Sequence, residues 1–182
     1  MSKNSAKIFG DLNIFLIILK LYEDYFGLWL NGELCYVVNG CVLGEFKGGV
    51  SLRDAWSILL DIIQKKKNRI NLEIYEMDYE TIFSIINDAI YSNDFRIYNI
   101  IEEKKFAADF SVLINVKSML DWTIYCVSDG NMNKLVYKKH NCHKVHGVLM
   151  PDNLVEKTLN DTFLYLDFLY NSELSKNQKN IP

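Results

Sequence analysis

Apolar positions along this chain fall into two rhythms, and the switches between them predict its elements. From Asp121 to Leu149 the rhythm is that of strands. Trp122, Ile124 and Cys126 alternate with Thr123, Tyr125 and Val127, so a strand here has two largely apolar faces and belongs inside a sheet. Asp129-Gly130-Asn131 tolerates positive φ, and Leu135-Val136-Tyr137 then resumes the β-branched and aromatic pattern, which together are the signature of a hairpin. Val145 to Met150 reads as the next antiparallel strand, ended by Pro151. A meander is the simplest topology.

Nearer the N-terminus, Ile14 to Tyr22 is almost continuously apolar and reads as a buried strand. Phe26 to Leu30 and Leu34 to Val38 flank Asn31-Gly32, and Asn39-Gly40 precedes Cys41-Val42-Leu43. Two Asn-Gly pairs so placed predict tight turns, because both central residues of a type I′ turn need positive φ. Phe106 to Ile114 reads as a further strand. The helical rhythm starts at Ser51, with Asp54 three residues on as a relative of the capping box. Leu52, Ala55, Trp56, Leu59, Leu60 and Ile63 make its apolar face, and Lys65, Lys66 and Lys67 close it at the end where cations suit the helix dipole. A second helix runs from Tyr79 to Ser92 behind Asp78 as N-cap, with Ile82, Phe83, Ile86, Ala89 and Ile90 inward. The third runs from Asn153 to Asn171. The polar ends, residues 1 to 5 and 172 to 182, read as flexible. The expected fold is a single α+β domain over residues 1–182, with a largely antiparallel sheet of about six or seven strands packed by about three helices.

Composition supports that reading and narrows the function. Hydrophobic residues make up 49% of the 182 positions, enough for a core without staples. Cys35, Cys41, Cys126 and Cys142 fall singly in or beside predicted strands with no CxxC pair, which fits buried reduced thiols. No run approaches the roughly 20 apolar residues of a membrane span, and Gly10, Asp11 and Asn13 interrupt any signal-like segment. A cytoplasmic location follows. The net charge of −3 does not suit direct binding of nucleic acid, which asks for clustered basic residues. A basic partner is favoured.

Charge is unevenly spread. Between Asn71 and Glu103 stand Glu73, Glu76, Asp78, Glu80, Asp88, Asp94, Glu102 and Glu103 against Arg96 alone, a local net of −7. Such a field steers a cationic partner, and Glu73, Glu76, Glu80 and Asp88 are the candidate partner-binding residues. The alternative is an ordinary solvated helix face. Other constellations are weaker. His140, Cys142, His143 and His146 have metal-ligand chemistry, but a turn and strand send successive side chains to opposite sides. An enzyme-like domain binding a small ligand or metal through the central sheet and this cluster is the alternative function. Asp11, Glu45 and Asp121 suit turn and cap duty better than acid–base pairing. Gly44 to Gly49 lacks the order of a phosphate-binding loop. No catalytic residue, metal site or cofactor is expected.

Several stretches carry a resemblance. Ile8-Phe9-Gly10-Asp11, an apolar strand holding Phe15, Trp29-Leu30-Asn31-Gly32, Asn39-Gly40, then Asp121 to Gly130 ahead of Leu135-Val136-Tyr137, resemble bacterial polymorphic-toxin immunity proteins, in particular immunity protein family 42. Leu12 stands where that family usually has proline. The resemblance implies a non-enzymatic cytoplasmic antitoxin of the kind found in contact-dependent growth inhibition. Such a protein binds the C-terminal toxin domain of a cognate effector, in many cases a nuclease, and blocks it by occlusion. It also implies structural roles for Gly10 in a turn, Asp11 in capping and Trp122 in the core.

Overall fold

The computed structural model describes residues 5–179. Their eight strands and four α-helices gather into two compact units. One comprises the chain up to Asp61, residues 114–120 and the chain from Lys157 onward; the other comprises residues 62–113 and 121–156. The fold is α+β, as the patterns predict. The strands, however, divide between two antiparallel sheets, because alternation marks a strand without saying which others it pairs with.

In the first unit, β1 (Lys7–Gly10), β2 (Phe15–Leu21), β3 (Asn31–Val38) and β4 (Cys41–Leu43) lie in that order, with β5 (Val50–Ser51) also on β3. The apolar run of β2 is buried at Phe15, Leu16, Ile17, Leu19 and Leu21. Asn39 and Gly40 take φ of 47° and 75°, the tight turn expected from Asn-Gly. Gly10 has φ of 111°, and a Cβ there would stand 2.3 Å from the Phe15 carbonyl oxygen, so glycine is the residue that closes this turn.

The segment Phe26 to Leu30 is not a strand. It folds as a 3₁₀ turn over Gly27–Trp29, flanked by left-handed Phe26 and Leu30 at φ of 53° and 51°. This twist buries Leu30 completely and leaves Trp29 outside beneath the Arg53 guanidinium, 3.8 Å from its ring centroid. Asn31-Gly32 consequently opens β3 and makes no turn. Gly32 pairs with Leu21 and Val50, and a Cβ on it would lie 2.4 Å from the Lys20 carbonyl oxygen.

Helix α1 (Leu52–Gln64) begins where Ser51 predicts, the Asp54 amide donating to Ser51 Oγ at 3.3 Å. Leu52, Ala55, Leu59 and Ile62 are buried while Leu60 is exposed, so the inward stripe is narrower than expected. Trp56 is half-buried, stacked on Tyr170 at 4.7 Å with Nε1 donating to Asp167 at 3.2 Å. The closing helix, here the fourth, spans Asp152–Lys179 and passes the expected end at Asn171. No glycine or proline interrupts residues 172–179. Glu173 pairs with Lys176 one turn on, and the Ser172 and Ser175 hydroxyls bond back to Phe168 and Asn171. Of the ends read as flexible, residues 1–4 and 180–182 lie outside the described residues.

The second unit contains the expected meander: β6 (Trp122–Ser128), β7 (Met132–Lys139) and β8 (His146–Pro151). Asp129 Oδ1 accepts the Asn131 and Met132 amides, both at 2.7 Å, while Gly130 supplies φ of 98°. Trp122 is half-buried against Tyr137. The stretch from Phe106 to Ile114 is a second departure, with a 3₁₀ turn at Ala107–Phe110, an isolated bridge from Ser111 to Tyr125 of β6 and the Val112 amide donating to the Ile124 carbonyl. Its cause is Asp109, whose Oδ2 accepts the Phe106 amide and the Asn68 side chain, each at 2.9 Å. A carboxylate that caps a turn from its third residue ends any extended run.

Two short helices cover one face of this sheet, α2 (Leu72–Tyr75) and α3 (Tyr79–Tyr91). Ile74, Ile82, Phe83 and Ile86 pack there with Tyr125, Val127 and Val136. The same unit holds a buried ion pair. Arg69, 1% exposed, donates to Glu156 Oε1 at 2.7 Å and to the Ile62 carbonyl at 2.8 Å. Of the cysteines, Cys35 and Cys126 are buried and their thiols are pushed up to about 11 and about 12 by burial, while Cys41 and Cys142 are exposed, contrary to expectation; all four are free.

Candidate functional site

The acidic segment folds into α2, α3 and the turns around them, where local rules explain which carboxylates remain available. Asp78 is the N-cap of α3. It accepts the Thr81 amide at 2.9 Å and the Thr81 hydroxyl at 2.7 Å, and those bonds hold its carboxyl below the usual range. Asp94 bonds Arg96 at 2.7 Å, which likewise depresses its pKa. Asp88 stands at 4.0 Å from the same guanidinium, and Glu102 pairs with Lys105 at 3.0 Å. Glu73 on α2, Glu76 at its C-cap and Glu80 in the first turn of α3 are exposed and, among the described residues, have no ion-pair partner.

Of the four predicted contact residues, three are therefore uncommitted and Asp88 is weakly held. Glu80 and Asp88, eight residues apart at about 100° per residue, fall within roughly 80° of each other around α3. Thr81 and Ser84 share that solvent-facing stripe. Carboxylates presented this way attract a basic surface from a distance and are not spent on the fold.

Beside this stripe lies a feature the sequence reading missed. Phe83, Asn87 and Tyr91 on α3 face Thr123, Lys138 and His140 across a cavity of about 370 Å³. Thr123 and Lys138 are register partners, so their side chains share the sheet face that α3 covers. The signal available in the sequence is Lys134 and Lys138, two cations on a strand face otherwise filled by Val136.

The remaining candidates stay apart from chemistry. His140 Nε2 is 3.1 Å from Thr123 Oγ1, His146 stacks on Tyr137 at 5.4 Å, and Cys142 and His143 are exposed. Among the described residues, no three His, Cys, Asp or Glu side chains gather as a metal site. Asp11 accepts the Asn13 amide at 2.8 Å, a turn role. Asp121 accepts the His140 amide through its backbone carbonyl, and Glu45 is exposed on the loop before Gly48. No helix among the described residues is long and apolar enough to cross a membrane.

A small α+β protein whose accessible chemistry is ionic and aromatic, arranged on a helix face, is equipped for recognition. The model of the family described as Immunity protein 42 matches residues 8–164, and the chain belongs to that family. Its role is that of an immunity protein. The crystal structure of CdiI from Burkholderia dolosa AUO158 is similar, with a TM-score of 0.68 over 87% of this chain and 99% of that one at 16% identity. At that identity the likeness speaks for the fold. No curated protein matches the sequence.

Proposed function

We propose that this protein binds the toxin domain of a cognate bacterial effector and blocks it by occlusion, without chemistry of its own. The observation that carries the reading is the family match over residues 8–164. The toxin class that best fits the surface is a nuclease. A nuclease holds phosphate with basic residues, and Glu73, Glu76, Glu80 and Asp88 would stand in for the nucleic acid there. The protein then acts in the cytoplasm, where such a toxin meets its target, with the toxin domain as partner and no part played by membrane or by nucleic acid itself.

The test is stopped-flow association with the toxin domain encoded beside this chain, inactivated, using wild type and a variant with Glu73, Glu76, Glu80 and Asp88 changed to lysine. Long-range steering is screened over about 8 Å at physiological ionic strength, so wild-type association should slow as salt rises and the variant should be slow throughout. Equal rates for both proteins at both salts would remove the acidic face from the interface. A wild-type protein that neither binds that domain nor restores growth to cells expressing its active form would defeat the reading itself.

A further inference from the structure

Lys134 and Lys138 lie two pleat repeats apart on β7, either side of Val136 on the face that α3 covers, and their ammonium groups end very differently. Lys134 Nζ donates to the Met77 carbonyl at 2.8 Å and sits 4.9 Å from the Tyr75 ring centroid. Lys138 is also half-buried. Its Nζ lies 5.6 Å from the Phe83 ring, and among the described residues it has no ion pair. A cation drawn partly out of water with only a distant ring beside it retains an unmet demand for an anion.

The cavity walls point to the same chemistry. Asn87 Oδ1 accepts the Tyr125 hydroxyl at 3.3 Å, which leaves its amide N–H groups to serve the cavity. The Thr123 hydroxyl and His140 Nε2 satisfy each other. The free capacity is thus mainly that of donors, on Lys138, Asn87 and Tyr91, and no carboxylate lines the space. Aromatic surface lies at hand: Tyr91 is 71% exposed, and Phe95 and Tyr98, just past the end of α3, are 64% and 40% exposed. A small free anion would leave the Tyr91 ring, which lines the cavity, in water, whereas a protein surface would cover it, and an exposed aromatic at a charged pocket is a usual anchor of an interface.

We propose that this cavity receives an aspartate or glutamate side chain of the toxin domain, paired with Lys138 and covered by Tyr91. The inference rests on the proposed function and deepens it. The partner would present two charges in a fixed order, a basic surface to Glu80 and Asp88 and an acidic side chain to the flank of the same helix. Such a pattern rejects toxin domains that have the basic surface alone, because a lysine enclosed by the interface and left unpaired is costly.

The experiment measures equilibrium and dissociation of the inactivated toxin domain with wild type, Lys138→Met and Lys138→Glu. Loss of one partner of an enclosed charge pair acts on dissociation. Lys138→Met should therefore dissociate at least about tenfold faster with little change in association, and Lys138→Glu should bind more weakly still. Changing the toxin's acidic surface residues singly to lysine should yield one variant that restores binding to Lys138→Glu. Melting temperatures of both variants close to wild type would exclude misfolding, and Tyr91→Ala, on an exposed ring, gives a second reading that does not touch the charge. Wild-type affinity in all three variants, with wild type itself binding the toxin, would overturn this proposal and leave the proposed function standing. Failure of wild type to bind would overturn both. A thermal shift with sodium phosphate or sodium glutamate that disappears in Lys138→Met, alongside unchanged toxin affinity, would mark a small-anion site and equally overturn the proposal.

Discussion

Two groups of charges in the same compact unit are handled in opposite ways. Around Arg69 charge has been taken into the fold: the guanidinium is enclosed and bonded to Glu156 and to backbone carbonyls, and the nearby Asp109, itself buried, caps a turn while the partly exposed Lys65 stands 3.7 Å away. Along α2 and α3, Glu73, Glu76 and Glu80 are held in water without an ion pair among the described residues. Burial makes a charge expensive unless it is paired, whereas exposure makes it cheap and leaves its field free to act outward. The first group therefore belongs to stability, whereas the second is left out of the fold and, under the proposed function, would act at encounter; substitutions should separate the two.

The largest effect is expected at Arg69. Arg69→Met leaves Glu156, whose side chain is 12% exposed, without its counter-charge, and removing one member of a buried pair costs about 3–5 kcal/mol. Chemical denaturation reads this as a lower midpoint at unchanged slope. The double variant Arg69→Met with Glu156→Leu should recover most of the loss, since a buried pair exchanged for apolar groups is often neutral. A single variant as stable as wild type would show that the pair is not structural, and the contrast between the two groups would collapse.

An intermediate effect belongs to Trp56, which is neither enclosed nor free. Full truncation of a buried Trp costs about 3–5 kcal/mol. This ring keeps part of its surface in solvent while stacking on Tyr170, so Trp56→Ala should cost nearer about 2 kcal/mol by the same measure. Calorimetry would test it. A loss as large as that at Arg69 would mean that ring stacking, and not burial, governs this face of α1.

Trp56 also marks how far the sequence carries. Its place on α1 was legible from the 3.6-residue rhythm behind Ser51, and α3 was equally legible from Asp78. The Asn39-Gly40 turn follows from φ preference, and the Asp129-Gly130 turn from the φ of Gly130 together with the amides that Asp129 accepts. Phe26 to Leu30 was not legible, because its apolar residues have strand composition while Gly27 and two left-handed neighbours set the path. Neither was the turn at Ala107, where the apolar residues have strand composition while Asp109 caps the Phe106 amide and is itself held by Asn68, far away in sequence. The candidate site divides similarly. Exposure of Glu80 follows from the local helix pattern behind Asp78, while α2, which carries Glu73 and ends at Glu76, was not foreseen; the cavity at Lys138 needs both the pairing of Thr123 with Lys138 and the placement of α3, which are long-range facts.

On the encounter side, the four substitutions to lysine at Glu73, Glu76, Glu80 and Asp88 should leave stability nearly unchanged, each within about 0.5 kcal/mol as for exposed sites generally. A large loss in denaturation would show these carboxylates holding the fold, and the slower association expected of that variant would then have a structural cause.

The smallest effect, at Asp129, tests whether a partly exposed carboxylate can serve the fold through hydrogen bonds alone. Met132 and Asn131 amides bond its carboxylate and lower its pKa from 3.8. A depressed carboxyl contributes stability that is present above its unfolded pKa and is lost as pH falls through the folded one. Asp129→Asn keeps an oxygen to accept the same amides but has no charge to lose. Melting temperature measured against pH should therefore show wild type above the variant at neutral pH and the two converging below about pH 3.8, the unfolded reference. A constant gap down to the lowest pH would assign the effect to shape and not to charge. Asp129 would then be a turn residue in which the negative charge is incidental, unlike Arg69, where charge decides the outcome, and unlike Glu80, where charge is directed outward.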